Sequence, residues 1–355
     1  MNKPYIIKKL PLPFSLETSA IMKQSIRASR ALAELKGVAR SIPNEGILVN
    51  TLIITEAKES SAVENIVTTH DELFKAQALG RNIENINTKE VLNYASALKA
   101  GFALVQRMGF LRHSDIKAIQ RELEGNNAGY RTQKGTTLKN GKGEVVYTPP
   151  QSSEEILEAM DNLLNYINDP ELDDLDPLIK MAIIHFQFES IHPFYDGNGR
   201  TGRILNILYL HLSNLLDYPI LYLSRYIIQN KAAYYHLLQA VRDENAWEEW
   251  ILYMLKGVEE TALATINMIN SIRQLMQQYK NTVRQKAPSI YSKDLLENLF
   301  KHPYTRIEFL ENDIHKTRQT AARYLETLVE IGLLEKVRHG KHNYYINIEL
   351  FRLFA

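Results

Sequence analysis

Cysteine is absent from the 355 residues. Its absence excludes disulfides and the small secreted scaffolds that depend on them, and also any zinc or iron–sulfur centre built on thiolates. An excess of one charge is missing too. With 42 Lys and Arg against 41 Asp and Glu, the net charge is +1, so no global basic field draws the chain to nucleic acid or to a membrane surface. Long apolar runs are lacking. The most apolar stretch, residues 204–223, is interrupted by Asn206, His211, Asn214, Asp217 and Pro219, whereas a bilayer span needs about 20 mostly apolar residues. The opening residues, Met-Asn-Lys-Pro-Tyr-Ile-Ile-Lys-Lys, carry no apolar signal segment. A cytoplasmic protein with no membrane contact is the expectation.

What is present is ordinary globular composition: 45% hydrophobic and 23% charged residues. The length suits two or three units of about 100–200 residues each. Most of the chain carries the helical period. Ile21, Ala28, Leu32, Leu35 and Ala39 share one face. Asn87 with Glu90 reads as a capping box opening a stripe of Val91, Ala95, Leu98, Phe102 and Val105. Ser114 reads as the cap of a short helix stopped by Gly125, and Ser152 with Glu155 as another capping box. Asp176-Pro177 is a helix opening, and that helix should run to about Glu189 with Pro193 beyond it. Further helices are expected from about Gly199 or Arg200, from Asn230, and from Ala246 toward Gln285. Strand signals are few. Thr136-Thr137-Leu138 and Val145-Val146-Tyr147 flank Asn140-Gly141-Lys142-Gly143 and read as a small hairpin.

After Ala287-Pro288 the pattern changes. Leu295, Leu296 and Leu299 mark one helix, and Thr317 to Ile331 another, closed by Gly332. Leu333 to Val337 and Asn343 to Ile348 then face each other across Arg338-His339-Gly340-Lys341-His342. Helix, helix and a basic-tipped hairpin is the order of a winged helix-turn-helix. Arg318, Gln319 and Arg323 lie on the polar side of its second helix, with Lys336, Arg338 and Lys341 on the wing. DNA contact, dimerisation and docking of target proteins all fit, and the small net charge of residues 289–355 favours protein contact over DNA.

One segment carries chemistry: His192-Pro193-Phe194-Tyr195-Asp196-Gly197-Asn198-Gly199-Arg200-Thr201-Gly202-Arg203. It sits between two expected helices. Glycines let a backbone approach a ligand closely. The N–H groups of residues 197–200 face outward at a helix start, where the dipole favours anions. Arg200 and Arg203 add forked donors for phosphate oxygens. Asp196 can hold a magnesium ion bridging phosphates, and His192 can act as a general base. These parts describe nucleotidyl or phosphoryl transfer. Gly197-x-Gly199-x-x-Gly202 also spells a dinucleotide fingerprint, but no strand precedes it and the chain lacks alternating strand–helix units. A P-loop would need Gly-Lys-Ser or Gly-Lys-Thr, and Gly202 is followed by Arg203. His185, on the face of Leu178 and Met181, reads as a packed core histidine.

The segment resembles the motif H-P-F-x-D/E-G-N-G-R-x-x-R of Fic-domain proteins at every defined position. Gly129-Tyr130-Arg131, the hairpin and Tyr147-Thr148-Pro149-Pro150 resemble the family's target-docking flap, and Tyr234-Tyr235 a recurrent pair near the nucleotide base. The resemblance implies a mainly α fold, a Fic helical bundle with a β-hairpin flap, followed by the winged helix. It implies that His192 deprotonates a Ser, Thr or Tyr hydroxyl of a target protein, that AMP passes from ATP to that oxygen, and that pyrophosphate leaves. Asp196 carries Mg2+. Asn198 and the amides of Gly197 and Gly199 hold the α- and β-phosphates, Arg203 the γ-phosphate, and Arg200 supports the anion site. Thr201 and Gly202 complete this nucleotide site with Tyr234 and Tyr235, and the flap around Thr136, Thr137 and Leu138 pairs with an extended target segment.

Upstream, Ser60-Ser61-Ala62-Val63-Glu64-Asn65 resembles the family's inhibitory pattern S/T-x-x-x-E-G/N. Ser60 and Glu64 stand four apart, on one helix face. A carboxylate on Arg203 would occupy the donor meant for the γ-phosphate. The expected organisation is a helical N-terminal region with this motif (1–110), a catalytic core (111–257), a connecting helix (258–288) and the winged-helix module (289–355).

Overall fold

The computed structural model describes residues 5–79, 85–339 and 342–354. Helices dominate them. In chain order they are α1 Ser19–Ala39, α2 Glu45–Val63, α3 His70–Leu79, α4 Ile86–Met108 and α5 His113–Glu124. After a two-stranded hairpin, β1 Leu138–Lys139 and β2 Val145–Tyr147, come α6 Ser153–Asn168, α7 Pro177–Ile191, α8 Asn198–Leu212, α9 Ser224–Gln229, α10 Lys231–Glu244 and α11 Trp247–Lys286. The C-terminal part holds α12 Lys293–Lys301, β3 Tyr304–Thr305, α13 Ile307–Ile314, α14 Arg318–Glu330, β4 Glu335–His339, β5 His342–Ile346 and α15 Ile348–Arg352.

The centre of the bundle is α7. Every residue from Leu178 to Ile191 is buried, which is why this helix has no polar face. Asp176 caps it, accepting from the Leu178 amide (2.8 Å), and Pro177 occupies its first position, as the sequence predicts. It ends at His192, whose φ of 49° is left-handed. α8 starts after a second left-handed residue, Gly197 (φ 77°), and packs against α7 along most of its length. α2, α4, α5, α6, α10 and α11 surround the pair, while α1 packs along α11. The 40-residue α11 is unbroken across residue 257 and runs out of the bundle into the C-terminal part.

Two expected caps are displaced. α4 is capped by Asn85, which accepts from the Thr88 amide (3.3 Å), while Asn87 instead donates to the Val67 carbonyl. α5 opens at Arg112, whose backbone N–H donates to Asp115, so Ser114 lies inside the helix. The Ser152–Glu155 capping box forms as expected. The hairpin is shorter than expected: pairing starts at Leu138, opposite Tyr147, and Thr136 and Thr137 lie outside it. Gln151 explains this. Its amide donates to the Thr136 carbonyl (3.0 Å) and accepts from the Gly135 amide (2.8 Å), diverting backbone groups that a longer ladder would use.

In the C-terminal part, β5 pairs with both β3 and β4. Ala321, Leu325 and Leu328 bury the apolar face of α14, while Arg318, Gln319 and Arg323 are exposed, as the pattern predicts. Its basic residues are met by acids: Arg318 by Glu308 and Glu311 (both 3.6 Å), Lys336 by Glu326 (2.5 Å). At the tip between β4 and β5, Gly340 and Lys341 lie outside the described residues. The part docks on the start of the bundle. Phe74 of α3 meets the rings of Tyr304, Phe351 and Phe354, and Asn44 donates to Glu297 (2.9 Å).

Candidate active site

The link between α7 and α8 is six residues long, His192 to Gly197, and two reversals of backbone sign shape it. His192 takes a left-handed φ at the end of α7, and Gly197 takes another at the start of α8. Asn198 staples the link: its side chain accepts from the Phe194 amide and donates to the Phe194 carbonyl, both at 2.8 Å. Both ends of that amide are therefore engaged internally, so the expectation that Asn198 holds phosphate is left to its backbone N–H. Phe194 is fully buried against Tyr130 and Phe188, so the loop cannot lift away from the core without exposing an aromatic ring.

His192 is half-buried, but its Nδ1 is closed off from solvent and has no hydrogen-bond partner among the described residues. Burial, with the charges of Arg131 and Arg242, holds its pKa down at about 4. The imidazole is thus neutral at physiological pH, the form able to accept a proton. Asp196 is exposed, and one oxygen accepts from the Gly197 amide (2.7 Å). No group of three or more metal-type ligands occurs among the described residues. A single exposed carboxylate fits magnesium, which is commonly held by one or two carboxylates together with substrate phosphates.

The two motif arginines differ. Arg203 is 2% exposed and ends on the upstream motif. Its Nε donates to Ser60 Oγ (2.7 Å), and its Nη2 to the Ser60 carbonyl (3.0 Å) and to Glu64 Oε1 (2.8 Å). Burial pushes the Glu64 pKa up, but the charge and hydrogen bond of Arg203, with Arg200 and Lys231 behind it, prevail and hold the carboxyl below its usual range. Arg200 is turned elsewhere: it pairs with Glu124 (2.9 Å) and Glu90 (3.2 Å), so it braces α8 against α5 and α4. The expectation that it supports the anion site as a free donor is revised accordingly.

The glycines divide in the same way. A Cβ on Gly199 would stand 2.5 Å from Glu64 Oε1 and 3.1 Å from Arg203, so this residue faces the site. A Cβ on Gly202 would meet Glu189, Phe188 and His185 of α7, so Gly202 serves helix packing and not the cradle. Thr201 is fully buried. Tyr234, expected beside the nucleotide, is 1% exposed and shares a hydrogen bond with His185 Nε2 (2.8 Å), whereas Tyr235 is 45% exposed and faces outward. His185 is a core histidine, as expected, with burial holding its pKa at about 3. The flap is anchored by Tyr147, whose hydroxyl donates to the Ser190 carbonyl of α7 (2.9 Å).

Three groups were not found from sequence. Glu56, one turn before Ser60, is buried between Tyr94 (3.0 Å), the Ser224 amide (3.1 Å) and the Ser224 hydroxyl, and burial raises its pKa to about 7. Glu189, one turn before His192, has a buried oxygen without a partner, and burial again raises it to about 7. Arg242 of α10 stacks over Tyr147 (4.2 Å). The four-residue and three-residue spacings to Ser60 and His192 were the available signals for the two acids.

Known proteins match the chain in three stretches. Residues 22–103 match the Fic/DOC family N-terminal region, residues 110–210 the Fic/DOC family, and residues 275–350 the protein adenylyltransferase SoFic-like C-terminal domain. Protein adenylyltransferase fic-1 of Caenorhabditis elegans is 34% identical over 91 residues, 26% of this chain and 17% of that one. Protein adenylyltransferase Fic of Drosophila grimshawi is 25% identical over 227 residues, 60% of this chain and 44% of that one. The chain thus spans less than half the length of these curated relatives. Among solved structures, a Fic family protein from Desulfovibrio desulfuricans G20 aligns with a TM-score of 0.59 at 21% identity, over 94% of this chain and 97% of that one. Fic-1 from C. elegans aligns at 0.54 and 21% identity, over 71% and 74%. These likenesses give the fold. The link between α7 and α8 thus falls in the stretch that matches the Fic/DOC family, between stretches that match the Fic/DOC family N-terminal region and the SoFic-like C-terminal domain.

Proposed function

We propose that the protein transfers AMP from ATP to a Ser, Thr or Tyr hydroxyl of target proteins, itself included. The observation that carries this reading is His192 at the end of α7, its Nδ1 buried and without a partner among the described residues, separated only by a short stapled link from the amides at the start of α8. His192 accepts the proton of the target hydroxyl. The oxygen attacks the α-phosphorus, the bond to the β-phosphate bridging oxygen breaks, and pyrophosphate leaves. The amides of residues 198–200 supply donors for the phosphate oxygens, while that of Gly197, also expected there, is taken by Asp196. Asp196 is the residue to hold Mg2+, which when bound offsets phosphate charge. An unpaired outer edge on β1 suits an extended target segment added as a strand.

In this reading Glu64 is a restraint. Arg203 cannot give the same geometry to a carboxylate and to a γ-phosphate. Incubation with Mg2+ and either α-labelled or γ-labelled ATP tests the transfer. Label on protein from the α position alone is expected; label from the γ position would make the protein a kinase and overturn the reading. His192→Ala should cut transfer by about 10²–10⁴ while ATP still raises the melting temperature. Unchanged transfer by the folded variant would remove His192 from its role.

A further inference from the structure

Arg131, in the segment leading into the flap, is fully buried, and no carboxylate lies within ion-pair distance of it among the described residues. Its Nε donates to the His192 carbonyl (2.8 Å) and its Nη2 to the Ile191 carbonyl (3.3 Å). Its own backbone N–H donates to the Pro193 carbonyl (2.8 Å). Its Nη1 is buried without a partner. Three consecutive carbonyls, those of residues 191, 192 and 193, are thus held by one residue. They straddle the left-handed His192 (φ 49°), a backbone state that a non-glycine residue keeps only when its surroundings impose it.

We propose that Arg131 is the positioning residue of His192: it locks the left-handed turn through these carbonyls and sets an uncompensated cation behind the imidazole. The proposal rests on the transfer reading above, since a base that must start neutral gains from a nearby positive charge. The planar fork suits the task, because a guanidinium can reach two carbonyls at once and stays charged when buried. The contrast with the motif arginines is direct. Arg200 and Arg203 each have carboxylate partners; Arg131 has none among the described residues.

The charged and polar groups acting on His192 come from four directions. Arg131 stands before the hairpin and Arg242 on α10; both favour the neutral ring, after burial itself. Glu64 at the end of α2 and the Glu189 carbonyl of α7 favour the protonated ring. Removing the Arg131 charge shifts that balance toward protonation, so the ring should begin to titrate at higher pH.

The test compares the full-length chain with Arg131→Met and Arg131→Lys. Transfer from α-labelled ATP is read from pH 5 to 8. The His192 imidazole is followed in parallel by NMR on histidine-labelled protein, assigned with His192→Gln. The native protein should show a flat profile and no His192 titration in this window. Arg131→Met should lose at least about tenfold in transfer at pH 7 and gain an acid limb, with the His192 midpoint raised by about one unit. Arg131→Lys keeps the charge but loses the fork, so its rate should fall while its midpoint stays near native. A folded Arg131→Met protein with native transfer, or with an unmoved His192 midpoint, overturns the proposal. If that variant does not fold, Arg131→Lys decides: native transfer overturns, reduced transfer with an unmoved midpoint supports. Should neither the native chain nor Glu64→Gly transfer label, the transfer reading fails, and the His192 midpoint still judges Arg131.

Discussion

One guanidinium ties the site to the upstream motif. Arg203 is held through its Nε and Nη2: Ser60 takes its Nε and shares its Nη2 with Glu64. Replacing Glu64 with Gly removes the carboxylate and leaves the Ser60 contacts, so Arg203 stays ordered but gains room for a phosphate. Self-labelling from α-labelled ATP should then rise, by about a hundredfold if the gain is alignment of the reacting atoms. A fall in transfer would instead mean that the carboxylate takes part in the chemistry, for example by placing water for AMP removal; no change would make Glu64 a bystander. Ser60 and Glu64 were legible because helical spacing puts them on one face. Glu56 belongs to the same face one turn earlier, yet a lone glutamate in a helix reads as a solvated residue. Only the fold shows it enclosed by Tyr94 and Ser224. Arg200 was misread for the opposite reason: the sequence hides Glu90 and Glu124, which reach it from α4 and α5.

At the scale of elements, the close approach of α7 and α8 is what turns a loop into a site. Gly202 permits it, since an added Cβ would stand 3.1 Å from the Phe188 ring and 2.5 Å from Glu189 Oε1. Gly202→Ala gains about 1 kcal/mol of helix propensity, but overpacking of this kind costs about 1–3 kcal/mol. The melting temperature should fall, and transfer should fall with it as the link loses its support. A melting temperature at or above the native value would show that α7 yields without cost. Helix ends marked by strong local chemistry, Asp176-Pro177, Ser152 with Glu155, and Gly125, were readable before the fold was known. At the start of α4 the sequence points to Asn87, and the structure caps the helix two residues earlier. Asn85 prevails over Asn87 because Asn87 is drawn to the Val67 carbonyl. The hairpin was overextended because Gln151, distant in sequence, captures the backbone of Gly135 and Thr136.

Over the whole molecule, buried titratable groups oppose one another. Burial holds His70, His192 and His302 at about 4 and His185 at about 3. These folded values lie below the usual imidazole value of about 6.5. Between about pH 4 and 6.5 the unfolded chain therefore binds protons that the folded chain refuses, and stability falls as pH drops through that window. Glu56 and Glu189 act the other way. Burial raises both to about 7, above the usual carboxylate value, so the folded chain holds two protons that the unfolded chain has released. Their contribution is present at acid pH and is lost as pH rises through about 7. Four imidazoles outnumber these two carboxyls, so stability should climb from pH 4.5 to about 7. Above about pH 7 the imidazoles are mostly neutral in both states and the two carboxyls mostly ionised, so the melting temperature should level off toward pH 8. Glu56→Gln separates the contributions. The amide cannot ionise, so although the variant loses part of its bond to Ser224 and melts lower throughout, its climb between pH 4.5 and 7 should be steeper than native. A parallel climb in both proteins would mean that Glu56 is already ionised in its nest, its charge carried by the Ser224 amide and by the field of Arg203.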